Sequence, residues 1–468
     1  MTCDTPHPSV REEGWSWFFA RFRRHSAELA RLATPVVVSR AGILTLALVD
    51  TVMLGPLGAE EVARYGLGTS AFVVLLVLCI GLLFGTVVET SHLRGEGRLT
   101  ETGQVWRRVL PYAAILGAVG LCATQVSETY FLAVGQPDRL AAISADVTRI
   151  QGLGLIPMTL YVASNFYLEA MGKPLPGMIA VWAANIANIF LNLWLIDGGM
   201  GVSGADGAAL ATTICRTGMM VFVVGAVWYL GGRNDWGIRQ RPAPGWFRGG
   251  APIRRHGYAS GAAYASESGA YHVMHIFAGW MSTEQLASFT VNMNLLAMTF
   301  MVSLGIANAT AVRVGVAHGR RDWPDRTLAG WTGGFWVVAG LSPLAALLIL
   351  APGQTMSTLY RIDDPVLLSV MMPATVVVGF AIMLDGAQFT LANALRASND
   401  AWVPTFLNFL GFIVVMIPAA YVVGVAMDGG AVGLYQAVLL ASGVAAVILC
   451  ARWIWICARA GTRTGDLR

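Results

Sequence analysis

Charge is scarce in this chain. Only 12% of its 468 residues are Asp, Glu, Lys or Arg, while 56% are apolar; a soluble globular chain carries roughly 25% charged residues. The apolar residues come in stretches of twenty or more, the length at which a helix crosses a bilayer. That argues against a large soluble core. Strict apolar/polar alternation is missing, which argues against a membrane β-barrel. Cysteine is limited to Cys3, Cys79, Cys122, Cys215, Cys450 and Cys457, with no CxxC or Cys/His cluster. No metal site or disulfide framework is readable from that spacing, and these residues read as small packing groups. Lysine occurs once, at Lys173. HExxH, GxSxG and clustered His/Asp motifs are absent, so neither an enzyme nor a resident cofactor is expected.

What is present is a series of apolar spans. Twelve candidates run near 34–56, 66–93, 105–127, 145–169, 177–198 and 204–231, then near 256–281, 287–314, 328–351, 367–392, 402–425 and 430–457. The expected fold is an all-α integral membrane protein of twelve transmembrane helices. Residues 1–33 do not read as a secretory signal, because Arg11, Arg21, Arg23, Arg24 and Arg31 accompany no cleavable apolar core. With Trp15, Trp17, Phe18, Phe19 and Phe22 they read as an interfacial amphipathic arm. The arm, the even-numbered loops with their adjoining span ends, and the tail hold 25 of the 31 Lys plus Arg. The odd-numbered loops hold Arg64, Arg139 and Arg361, and Arg40, Arg149 and Arg216 fall within spans. Basic loops stay inside, so both termini are expected on the cytoplasmic side of the cell's inner membrane. The net charge of +4 then reflects topology and no nucleic-acid partner.

The spans divide six and six around a loop at 232–256 rich in Arg, Gly and Pro. The expected organisation is an arm at 1–33, an N-lobe at 34–231, the loop at 232–256, a C-lobe at 257–457 and a tail at 458–468. The halves resemble each other. Gly58-Ala59-Glu60-Glu61-Val62-Ala63 matches Ser282-Thr283-Glu284-Gln285-Leu286-Ala287, Gly97-Arg98 matches Gly319-Arg320, and Gly204-Ala205-Asp206-Gly207 matches Gly430-Ala431-Val432-Gly433. Six crossings return the chain to its starting side, so the repeats are parallel. The obvious site is a cavity between or within the lobes.

Three carboxylates stand alone in apolar runs. Asp50 is the only ionisable side chain between Arg40 and Glu60, Glu267 the only acid between Arg255 and Glu284, and Asp385 the only charge between Asp364 and Arg396. A charge at a helix centre in the bilayer costs about 2.5–3.5 kcal/mol on the insertion scale, and chains that keep one use it to bind or carry ions. At about 1.5 Å per residue, Asp50 lies roughly 24 Å from the cytoplasmic end of its span, and Asn188 and Asn192 roughly 18–24 Å. Glu267 and Asp385 lie roughly 16 and 11 Å from that end by the same rise. Two clusters are expected: Asp50 with Asn188 and Asn192, and Glu267 with Asp385. Two facing carboxylates in low dielectric share a proton or hold a cation such as Na⁺. The structural alternative pairs each acid with Arg40, Arg149 or Arg216, or leaves it simply protonated.

Secondary candidates surround them. Tyr271 and His275 share the Glu267 face, with His275 either a proton relay or a packing histidine. Pro35 precedes Asp50 by about four turns and frees a backbone carbonyl, so bending of the first span could follow protonation. Asp146, three residues before Arg149, reads as its orienting partner. Glu89 and Glu169 sit near span ends and read as solvated, without a special role.

These residues resemble the multidrug and toxic compound extrusion (MATE) family, in its NorM-like bacterial branch. The resemblance rests on Thr34-Pro35, Leu48-Val49-Asp50-Thr51-Val52-Met53-Leu54-Gly55, Met171-Gly172-Lys173-Pro174, Asn188-Ile189-Phe190-Leu191-Asn192, Asp385-Gly386-Ala387-Gln388 and Leu395-Arg396. It covers nearly all of residues 30–455. It implies a monomeric two-lobed antiporter that exports small amphipathic organic compounds against H⁺ or Na⁺. Asp50 would be the first-lobe acid, Asn188 and Asn192 its polar partners, and Glu267 with Asp385 the second-lobe cation pair. That branch often has a tyrosine four residues before the tenth-span acid. This chain has Ala381 there, which removes one oxygen from an Na⁺ shell and shifts weight towards H⁺. A flippase for a lipid-linked precursor is the alternative on the same fold.

Overall fold

A computed structural model describes residues 14–240, 245–360 and 364–465. Arg11, Cys3, Arg361, the middle of the inter-lobe loop and the end of the tail lie outside the described residues, as do the side chains of Trp15 and Trp17. Among the described residues no strand forms. In lipid a backbone must satisfy its own hydrogen bonds, and a helix does so within one segment.

The N-lobe comprises α1 (Gly14–Leu54), α2 (Ala59–Leu83 continuing as Gly85–Gly95), α3 (Leu99–Thr124), α4 (Asp138–Leu153 continuing as Leu155–Ala170), α5 (Leu175–Leu195) and α6 (Gly204–Arg233). The C-lobe comprises α7 (Ala251–Gly279), α8 (Thr283–Gly319), α9 (Trp323–Leu350), α10 (Pro365–Ala397), α11 (Trp402–Ala426) and α12 (Gly430–Gly465). Ten of these are long and apolar enough to cross a bilayer by length and composition alone. The other two have identifiable reasons. α4 is broken at Gly154, three residues before Pro157, into two pieces of 16 residues. α7 is made polar by Arg254, Arg255, His256, Ser260, Ser266, Glu267, Ser268, His272 and His275. The arm does not form a separate element from Gly14 onward: it is the first part of the 41-residue α1, which runs unbroken through Pro35. In α11, Pro418 sits between two π-helical stretches, Leu410–Met416 and Ala420–Ala426.

The repeat is visible in how the helices end. The backbone turns left-handed at Gly172 after α4 and at Asn399 after α10. In the first case Gly172 N–H donates to the Glu169 carbonyl at 2.9 Å, and in the second Asn399 N–H donates to the Arg396 carbonyl at 3.1 Å. The starts of α6 and α12 match as well. Glu61 Oε2 accepts from Ala205 N–H, and Gln285 Oε1 accepts from Ala431 N–H, each at 2.7 Å. Those carboxylate and amide oxygens satisfy N–H groups that a helix start leaves without intrahelical acceptors.

The lobes meet through α1 against α8 and α2 against α7 and α8. The joining residues lie in the halves of these helices nearest the termini. Leu29 and Ala33 pack with Ile306, Ala309, Val337 and Leu341. A Cβ on Gly85 would run into the Ile253 carbonyl, and one on Gly257 into the Leu82 carbonyl. Glycine is what allows the two backbones to approach there. Arg24 Nη2 reaches Asp325 Oδ1 at 2.5 Å, and His25 bridges Asp325 Oδ1 at 2.9 Å and Arg313 Nη2 at 2.6 Å. The start of α1 is thereby tied to α8 and α9.

Candidate functional site

The N-lobe acid is enclosed by four helices. Asp50 on α1 has no exposed surface. Its Oδ1 accepts from Asn192 Nδ2 at 2.7 Å, and its Oδ2 accepts from the hydroxyls of Tyr65 and Thr212 at 2.5 Å each. Asn192 Nδ2 also donates to Asn188 Oδ1 at 3.1 Å, and Asn188 Nδ2 donates to Thr212 Oγ1 at 3.3 Å. Asn188 and Asn192 are four residues apart and share one face of α5. Asn185, on the same stripe, donates to the Gly42 carbonyl at 2.9 Å and fixes α5 on α1. The expected triad of Asp50, Asn188 and Asn192 therefore forms. Tyr65 on α2 and Thr212 on α6 complete it, and neither was singled out from sequence. Their hydroxyls sit in apolar stretches, which is the available signal, but such hydroxyls are common in membrane helices.

The C-lobe acids are held differently. Asp385 on α10 is 3% exposed and Glu267 on α7 is 7% exposed. Asp385 Oδ1 accepts from Gln388 Nε2 and Ser442 Oγ, both at 3.3 Å. Glu267 makes no hydrogen bond or ion pair among the described residues, yet it lies close enough to Asp385 to be repelled by it and to Arg396 to be attracted. Tyr271 is beside both acids, and its buried hydroxyl has no partner among the described residues. A phenol oxygen is therefore available from α7 where α10 offers only Ala381. His275 turns away: it is exposed, and its ring meets Phe289 edge-on at 5.0 Å. That is a packing contact, and no hydrogen bond joins His275 to Glu267 among the described residues.

None of the three span arginines forms a salt bridge with these acids. Arg40 reaches Glu169 at 3.5 Å, Arg149 reaches Asp146 at 2.9 Å and Glu128 at 3.3 Å, and the Arg216 guanidinium stands 3.9 Å over the Phe72 ring. The Asp146 expectation agrees with this geometry. The Glu169 expectation does not: the side chain is buried at the lobe boundary, with Asn165 Nδ2 donating to Oε1 at 2.7 Å. A span end is solvated only if nothing covers it, and here α1 and α8 cover it.

The arrangement is one of buried acids in each of two repeated lobes, the lobes touching on one side of the bilayer. A MatE family model matches the chain twice, over residues 35–194 and 259–422, once in each lobe. The chain is 34% identical over 434 residues to a probable multidrug resistance protein NorM of Caulobacter vibrioides, covering 91% of this chain and 90% of that protein. It is 28% identical over 440 residues to the multidrug resistance protein NorM of Burkholderia vietnamiensis, covering 92% and 93%. Among solved structures, a MATE protein in its bent conformation superposes with a TM-score of 0.84 at 18% identity, covering 95% of this chain and 98% of that one. The eukaryotic MATE transporter AtDTX14 superposes with a TM-score of 0.82 at 15% identity, covering 95% and 99%. With the model matched in both lobes and the NorM likeness running through nearly the whole chain, this protein belongs to the MATE family of membrane transporters.

Proposed function

We infer that this transporter is a cation-coupled antiporter that exports amphipathic, often cationic organic compounds. The observation that carries the reading is the C-lobe pair. Glu267 and Asp385 are buried together with only two 3.3 Å donors between them. Two such carboxylates need a positive charge from elsewhere, and a proton or Na⁺ supplies it. The ion would bind at Glu267 and Asp385, with Tyr271 as a further oxygen. An organic cation competing for the same negative charge makes the two occupancies exclusive, which is the condition for exchange. Alternating access fits two repeated lobes whose principal contacts gather in the terminal-side halves of α1, α2, α7 and α8. With both termini cytoplasmic, that joined side is the inner one. The names of the NorM relatives support drugs as cargo.

A lipid-precursor flippase would need cations free for a pyrophosphate. Arg40 and Arg149 are already committed to carboxylates, while Arg216 stands over the Phe72 ring in the N-lobe and Arg396 lies in the C-lobe near Glu267, so the buried cations are dispersed between the lobes, which does not favour that reading.

The test is efflux of a fluorescent organic cation from proteoliposomes. Transport should follow an imposed cation gradient, and Asp50→Asn and Asp385→Asn should each reduce it to background. Wild-type transport by both variants would remove the acids from the coupling. Repeating the assay in Na⁺-free buffer, with and without a pH gradient, separates H⁺ from Na⁺.

A further inference from the structure

Each lobe places one acid and one base between its first helix and the end of its fourth, and the lobes have exchanged the charges. In the N-lobe the base, Arg40, is on α1 and the acid, Glu169, is on α4, closed at 3.5 Å. In the C-lobe the acid, Glu267, is on α7 and the base, Arg396, is on α10. Glu169 and Arg396 are equivalent positions, since each accepts through its carbonyl from the left-handed residue that ends its helix, Gly172 or Asn399. The register that sets Gly58 against Ser282 puts Arg40 against Tyr264, and Glu267 follows one turn later on that face.

The C-lobe pair is open. Arg396 is completely buried, yet only Nη1 is engaged, donating to Asn393 Oδ1 at 2.9 Å. Its Nε and Nη2 have no acceptor among the described residues. A buried guanidinium with idle donors is costly, and so is a buried carboxylate with no donors. The two attract each other without meeting. The groups facing Glu267 are Asp385 and Arg396 from α10, with Tyr264 and Tyr271 on α7 itself.

We propose that Arg396 is the built-in competitor of the coupling cation: its guanidinium closes on Glu267 when the cation leaves and retracts when the cation returns. The N-lobe pair is the template for the closed state. Arginine suits the task because it stays protonated and offers several donors in one plane. It neutralises Glu267 without leaving the protein, so the cation can be released instead of being trapped by two bare carboxylates. Arg396 is then a positioning residue that sets cation affinity. The inference rests on the antiporter reading above.

The test measures the cation concentration that half-saturates efflux in proteoliposomes, with protons in one series and Na⁺ in another. Removing an opposite charge beside a carboxylate changes its affinity for a cation by about tenfold or more. R396Q should therefore half-saturate at an about tenfold lower concentration, with slower turnover because release is slower. R396K should fall closer to wild type. Since E267Q removes a carboxylate of the cation site, the cation-dependent thermal shift of purified protein provides the second readout, one that does not require transport. By that readout E267Q/R396Q should match E267Q, and this comparison also serves if R396Q alone misfolds. An unchanged half-saturation in folded R396Q, or a difference between E267Q/R396Q and E267Q, overturns the role of Arg396 while leaving the antiporter reading intact. Wild-type transport with no cation dependence overturns both.

Discussion

The two lobes hold their buried span acids differently. In the N-lobe three side-chain donors hold Asp50 at 2.5–2.7 Å, and Arg40 with Asn165 holds Glu169 through Oε1, with Oε2 left without a partner among the described residues. In the C-lobe Glu267 and Asp385 have two long hydrogen bonds between them, and the nearest base, Arg396, donates to Asn393 instead. A satisfied carboxylate is rigid and needs no ion. An unsatisfied pair must recruit one. On the antiporter reading proposed above, the difference would place uptake of the coupling cation in the C-lobe and leave the Asp50 network as a hydrogen-bonded joint. Protonating Asp50 would add one O–H donor to a group that now only accepts, and the hydroxyl of Tyr65 or Thr212 is placed to turn and receive it.

The sharpest way to break this comparison is to leave an N-lobe charge unanswered. Arg40→Gln strands Glu169 at the lobe boundary, and loss of one partner of a buried pair costs about 3–5 kcal/mol. Thermal unfolding in detergent should show that drop. Arg40→Met with Glu169→Leu, which removes both charges, should recover most of it. If Arg40→Gln is as stable as wild type, the N-lobe pair is no better answered than the C-lobe one. A smaller loss is expected from Tyr65→Phe, which deletes one donor to Asp50. Hydrogen bonds to charged groups are worth about 1.5–3 kcal/mol. The same unfolding measurement should register it, and a null result would mean that Asp50 is held by Asn192 and Thr212 alone.

Much of this architecture could be read from the chain. The spans, the two lobes and the three acids are legible because charge is expensive in lipid, so that each exception stands out. Asn188 and Asn192 are legible for the same reason, through their helical spacing. What was not legible depends on tertiary cover. Glu169 looks like any span-end acid until α1 and α8 close over it. Tyr65 and Thr212 look like ordinary hydroxyl residues until α2 and α6 converge on Asp50. Arg396 lies in a segment that reads as a basic loop end, and only the matching helix termini show it to be the counterpart of Glu169. The break in α4 and the polar stretch of α7 weaken the apolar signal in the structure, although the run of spans along the sequence still shows twelve.

The mildest test concerns Ser442, which shares Asp385 Oδ1 with Gln388. Both bonds are long, and Gln388 remains when the serine hydroxyl is removed, so Ser442→Ala should cost no more than about 0.5–1.5 kcal/mol. The same change lowers the number of donors to a carboxylate that already has too few. Its hold on a coupling cation should tighten, because each lost donor makes the anion a better ligand. Stability and cation affinity should therefore move in opposite directions. In the N-lobe, Tyr65→Phe should lower stability with no change in cation affinity. A Ser442→Ala protein that loses both stability and cation affinity would place the serine oxygen among the ligands of the ion, beside the carboxylates of Glu267 and Asp385.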